Sequence, residues 1–176
     1  SDLSGLALHK KKLSDLRDVL EGMVTPFSDT KLLILSGHSG CSKSTSVKLL
    51  TQELIPTTDG LSLIEWFNPP DHTTTQFEQF LGEAKYRIGR NLSLILIEEL
   101  PNIFHDETRD SFQRSLYDWI NTDRQLPPLV ISITEYDIAN DGNQYQSYSL
   151  DNNYTVETIL GKRILNHPAV RRIKFN

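Results

Sequence analysis

The stretch Leu32-Leu33-Ile34-Leu35-Ser36-Gly37-His38-Ser39-Gly40-Cys41-Ser42-Lys43-Ser44-Thr45 decides the fold of this 176-residue chain. Its first four residues are uninterruptedly apolar, the mark of a strand buried on both faces. From about Lys43 a helix is expected, with Val47, Leu50 and Leu54 spaced for one buried stripe and Pro56 to close it. Between strand and helix stand Gly37 and Gly40, then Lys43 and Ser44, the pattern of a phosphate-binding loop. In such a loop consecutive backbone N–H groups and the positive end of the helix surround a β-phosphate, and glycine lets the chain turn without a Cβ clash. Lys43 is placed to neutralise the β- and γ-phosphates, and the Ser44 hydroxyl to ligate Mg²⁺. Ser42 departs from the pattern, standing where the second glycine is usual, and Gly40 supplies part of the missing freedom. His38 and Cys41 fill variable loop positions. A Gly/Ser-rich turn that merely starts a helix would share this composition, but not the buried strand before it.

Outward from that loop the chain alternates between two periods. Upstream, residues 9 to 23 read as an amphipathic helix with Leu13, Leu16, Leu20 and Met23 on one face, ended by Gly22 and Pro26. Downstream come a strand over 61–67 and a helix over 75–89, with Phe77, Phe80, Leu81, Ala84 and Ile88 on one stripe. A strand over 92–97, a helix over 106–120 burying Phe112, Leu116, Trp119 and Ile120, and a strand over 129–133 follow. Residues 137–153 are polar and read as a long exposed loop or weak hairpin, an insertion. A helix over 155–165 and a strand over 172–175 complete the pattern. Strands alternating with helices predict an α/β fold, a parallel five-stranded sheet with helices on both faces, in a single domain over 1–176.

In a sheet of that kind ligands gather beyond the carboxyl ends of the strands. The third strand ends there in Glu98-Glu99. The first acid is placed to reach Mg²⁺ through water, and the second to orient or deprotonate an attacking water. Aspartate is more usual at the first position, so the longer Glu98 is a second departure. Thr134 ends the fourth strand, placed either to touch a γ-phosphate or simply to complete the strand; Glu135 beside it reads as a surface acid. Lys10, Lys11 and Lys12 read as a solvated helix face, with contact to a partner or DNA as the alternative.

Composition narrows the class. Apolar residues at 38% support a packed core, and the longest apolar run, Leu94 to Ile97, is far too short to span a membrane. One cysteine excludes an internal disulfide framework and fits a reducing compartment. Five scattered histidines with that cysteine compose no zinc site. A net charge of −5 argues against a domain holding nucleic acid by charge alone.

Four stretches together carry a resemblance. Leu6-Ala7-Leu8-His9-Lys10-Lys11-Lys12, the loop Leu35 to Thr45, Ile64-Glu65-Trp66-Phe67-Asn68-Pro69, and Leu92 through Glu98-Glu99 to Leu100-Pro101-Asn102 resemble the large subunit of the DNA-damage-checkpoint clamp loader, in particular its yeast form. The resemblance extends through nearly the whole chain to Ile173-Lys174-Phe175. It implies an AAA+ ATPase core whose subunit joins four small clamp-loader subunits and helps load a ring-shaped checkpoint clamp onto DNA, in the nucleus and not at a membrane. It implies ATP and Mg²⁺ as cofactors. Gly37, Gly40, Cys41, Ser42, Lys43, Ser44 and Thr45 would hold nucleotide, and Leu8 and His9 would lie near the adenine. Ser44 and Glu98 would serve the metal, Glu99 would activate water, and Thr134 would be the sensor. Small clamp-loader subunits place an arginine before the fifth strand that acts on a neighbour's ATP; here Ala169 stands about there. Such a subunit would receive that arginine without donating one. The family's helical lid and collar are expected outside this chain. Two other functions fit the same loop: a nucleotide-stabilised scaffold with negligible turnover, favoured by Ser42 and Glu98, and a P-loop kinase, which would need an arginine-rich lid that residues 137–153 lack.

Overall fold

Leucine- and isoleucine-rich runs without polar alternation are stable only where both faces of a strand are covered. The computed structural model describes residues 3–25, 28–38, 42–55, 61–68, 75–86, 93–101, 103, 105–135 and 155–175. In it the runs become β1 (Leu32–Gly37), β2 (Ser62–Trp66), β3 (Ser93–Ile97), β4 (Leu129–Thr134) and β5 (Val170–Phe175). They form one sheet in the order β2-β3-β4-β1-β5, and all four pairings are parallel. β1 and β3 are buried along their whole length, whereas the edge strands β2 and β5 are partly exposed. Parallel strands need helical crossovers. The described helices are α1 (Leu3–Met23), α2 (Lys43–Leu54), α3 (Thr75–Ala84), α4 (Asp106–Ile120), α5 (Val156–Leu160) and α6 (Lys162–Leu165).

Side chains alternate across a strand, so the sheet separates two cores. On one face Leu32, Ile34, Ile95, Ile97 and Ile131 meet Phe77 of α3, Phe112, Leu116 and Trp119 of α4, and Ile159 and Ile164 of α5 and α6. On the other, Leu33, Leu35, Leu94, Leu96 and Val130 meet Leu16 and Leu20 of α1 and Val47 and Leu50 of α2. Aromatic rings run through the first core: Trp66 and Phe77 lie 5.4 Å apart between centroids, and Phe77 meets Phe112 edge-on at 5.2 Å. The buried Trp119 satisfies its ring N–H by donating to the carbonyl of Lys31 at 3.2 Å.

The expected α/β architecture is therefore present, with helices on both faces and α4 at the expected boundaries. Several boundaries differ. α1 begins at Leu3 rather than at residue 9, because Leu3 to Leu8 contain no proline and continue the helix. The helix expected over 155–165 is two short ones, broken where Gly161 takes φ 82° and ψ 157°. β5 begins at Val170, two residues early. α3 ends at Ala84, short of the expected residue 89, because Lys85 and Tyr86 form a turn in which the Tyr86 N–H donates to the Glu83 carbonyl at 3.1 Å; Ile88 and residues 137–153 lie outside the described residues. Among the described residues no helix is long and apolar enough to cross a membrane.

Candidate functional site

Because every pairing is parallel, β1, β2, β3 and β4 deliver their carboxyl ends to one edge of the sheet. β4 lies between β1 and β3, and its Thr134 pairs in register with Gly37, the last residue of β1. The carbonyl of Gly37 accepts the N–H of Glu135 at 3.0 Å and the Lys43 ammonium at 3.2 Å. Lys43 opens α2 and is buried, its ammonium also held by the carbonyl of His38 at 3.1 Å. Such acceptors offset the hydration a buried ammonium gives up. Ser44 follows half-buried and Thr45 exposed, while Gly40 and Cys41 lie outside the described residues.

Ser42, the departure from the loop pattern, has φ 66° and ψ 26°, the left-handed conformation that glycine adopts freely. It is the one non-glycine residue with positive φ among those described. Its carbonyl is gripped by the Ser46 N–H at 2.9 Å and the Ser46 hydroxyl at 2.7 Å. Its own hydroxyl makes no capping bond to α2. By contrast α5 starts with a closed box, in which the Thr158 N–H donates to Thr155 Oγ1 at 3.2 Å and the Thr155 N–H to Thr158 Oγ1 at 3.1 Å.

The two acids at the end of β3 diverge. Glu98 continues the alternation of Leu94 and Leu96 toward α2, where its Oε2 lies 3.8 Å from the Lys48 ammonium. Lys48 also pairs with Glu65 of β2 at 2.7 Å. The Glu65 hydrogen bond, aided by the charges of Glu65 and Glu98 against partial desolvation, raises the lysine above its usual pKa. Glu99 turns the other way and accepts the backbone N–H of Asn68 at 3.5 Å. Asn68 itself straps β2 to the strand end beside it: its Nδ2 donates to the Leu100 carbonyl at 2.6 Å, and its Oδ1 accepts the Trp66 ring N–H at 3.0 Å. One acid thus faces Lys48 on α2 and the other faces Asn68 just past the end of β2.

Glu135, expected as a surface acid, sits less open than that. It is half-buried and pairs at 3.2 Å with Arg172 of β5, which also pairs with Glu157 at 3.0 Å and donates to Ser36 Oγ at 3.2 Å. The arginine so ties the segment after Thr134 to β1 and α5. A hydrogen bond from its own backbone N–H, reinforced by Arg172, holds the Glu157 carboxyl below the usual carboxylate range. His9 is exposed on α1, and Lys12, one turn later, lines a cavity with Arg172 and Lys174 near the carboxyl end of β5, so the start of α1 lies toward the same edge. Leu8 belongs to that helix. Ala169 is buried at the opposite edge, its carbonyl accepting the N–H groups of Lys31 and Leu32 at 2.8 and 3.2 Å. Sequence reading missed Lys48, Glu65, Asn68 and Arg172. Two carried a signal: Lys48 is one helical turn beyond Ser44, and Glu65 is a charge inside an apolar strand.

The family model of the Rad17 P-loop domain matches residues 1–88 and 75–147. The checkpoint protein RAD24 of Saccharomyces cerevisiae is 41% identical over 194 residues, covering 99% of this chain and 29% of that protein. The checkpoint protein rad17 of Schizosaccharomyces pombe is 27% identical, covering 97% of this chain and 31% of the other. This chain thus spans less than a third of the length of either relative. Among solved structures, that of Rhizobiales Trip13 superposes with a TM-score of 0.51 at 14% identity, over 80% of this chain and 62% of the other, a likeness of fold.

Proposed function

This chain belongs to the Rad17 P-loop domain family, and from that premise we propose that it is the ATP-binding AAA+ module of a checkpoint clamp-loader large subunit. In this role it works in the nucleus with four small loader subunits to place a ring-shaped checkpoint clamp on DNA. One shared edge carries the proposal: Lys43, a buried ammonium held at the carboxyl end of β1, and Glu98, a carboxylate just past the end of β3, both lie at the carboxyl edge of the parallel sheet. Two such edges on unrelated sides of a sheet would support no phosphate chemistry.

The residues fit a magnesium nucleotide. Mg²⁺ takes hard oxygen donors, one or two from protein and the rest from phosphates and water. The Ser44 hydroxyl and the Glu98 carboxylate would hold it, and when bound it neutralises charge on the phosphates. Lys43, already held by two loop carbonyls, exchanges them for phosphate oxygens. Glu99 orients the attacking water and takes its proton, with Asn68 fixing its direction. Thr134, in register with Gly37, reaches the γ-phosphate from β4. With Ala169 buried at the far edge, this chain supplies no arginine to a neighbour from that position, and turnover depends on one received from a partner.

Lys43→Ala is expected to abolish binding of a fluorescent ATP analogue while far-UV circular dichroism stays unchanged; retained affinity would refute the site. Strain at Ser42 and the engagement of Glu98 by Lys48 favour a second reading, a nucleotide-stabilised scaffold that scarcely turns over. Turnover of the assembled complex separates the two. Glu99→Gln lowers it severalfold in an ATPase and leaves it unchanged in a scaffold.

A further inference from the structure

Ser44 and Lys48 are four residues apart on α2 and so project along one face of the helix, one turn from each other. Lys48 reaches two carboxylates there, Glu65 at 2.7 Å and Glu98 at 3.8 Å. Glu65 is an unusual residue for its place. It pairs in register with Leu96, on the sheet face covered by α1 and α2, and its Oε1 is closed off from solvent. A carboxylate oxygen without water needs a cation beside it, and Lys48 is that cation. The lysine is therefore tethered by Glu65 at a point from which it also faces the acid that the proposed function assigns to the metal.

We propose that Lys48, anchored on Glu65, is a positioning residue that competes with Mg²⁺ for Glu98. While the ammonium holds the carboxylate, Glu98 is less available to the metal and a higher Mg²⁺ concentration is needed, and metal entry requires Glu98 to turn from Lys48 toward Ser44. Glutamate at this position, one methylene longer than aspartate and more than half exposed, has the reach and the freedom to serve either cation. The inference rests on the reading of Glu98 as the metal-side acid.

The test measures binding of a fluorescent ATP analogue to the full-length protein as Mg²⁺ is titrated, reading the midpoint of the metal dependence. Lys48→Met should lower that midpoint by about two- to fivefold, the size expected for an exposed charge pair. Lys48→Arg should keep the wild-type value. The lowering should vanish when Lys48→Met is combined with Glu98→Gln. Because Lys48→Met leaves the Glu65 carboxylate unpaired, the double variant Lys48→Met with Glu65→Gln is measured alongside; it should show the same lowering with an unchanged melting temperature. If Glu98→Gln moves the midpoint but neither lysine variant lowers it, the competition is overturned and the metal role of Glu98 stands. If Glu98→Gln does not move it, that role falls and the competition with it.

Discussion

Ser42 shows how much one dihedral angle can hold. A side chain at φ 66° crowds its Cβ against the following carbonyl, at roughly 1–2 kcal/mol. The conformation persists because Ser46 clasps its carbonyl from the helix side while Lys43 is fixed to the Gly37 and His38 carbonyls. Ser42→Gly is therefore expected to raise stability by about 0.5–1 kcal/mol, the released strain being partly offset by the greater freedom of glycine in the unfolded chain. The denaturant midpoint measures it; a lower midpoint would mean that the serine hydroxyl holds the loop. The substitution of serine for the usual glycine was legible in the sequence. That Ser42 nevertheless adopts the glycine conformation was not, because backbone strain depends on what clamps the residue from both sides.

Among the elements, α4 was legible to its boundaries because Phe112, Leu116, Trp119 and Ile120 repeat at helical spacing and all are buried. α5 and α6 were not separable by the same means. Val156, Ile159, Leu160 and Ile164 also follow helical spacing and enter the same core, so their pattern runs unbroken across Gly161. The break is conformational: φ 82° with ψ 157° is a region that only glycine occupies readily. A Cβ there would meet the Gln113 side chain at 3.7 Å, an ordinary contact, so space is not the constraint. Gly161→Ala is expected to destabilise the domain by about 1–3 kcal/mol through the backbone alone. An unchanged melting temperature would show that the two helices merge without penalty.

The whole molecule is two cores sharing one sheet, so damage on either face should be felt by both. Trp119→Ala removes the largest fully buried side chain and is expected to cost about 3–5 kcal/mol. Tryptophan-independent far-UV dichroism and the quenching of a probe on α1 should then report one shared transition, and separate transitions would show that the faces unfold independently. By itself the sequence determined the strand and helix alternation, the loop with Lys43 and Ser44, the acids closing β3, and the family, because these reside in local spacing and in contiguous residues. Tertiary structure alone decided the order β2-β3-β4-β1-β5, and with it the placement of Thr134 beside Gly37 between the loop and the acids. It also decided that Glu98 meets Lys48 while Glu99 meets Asn68, and that Arg172 gathers Glu135, Glu157 and Ser36. Lateral strand order and cross-element pairs arise from contacts between residues far apart in the chain. Periodicity carries no record of which distant partner a side chain will find.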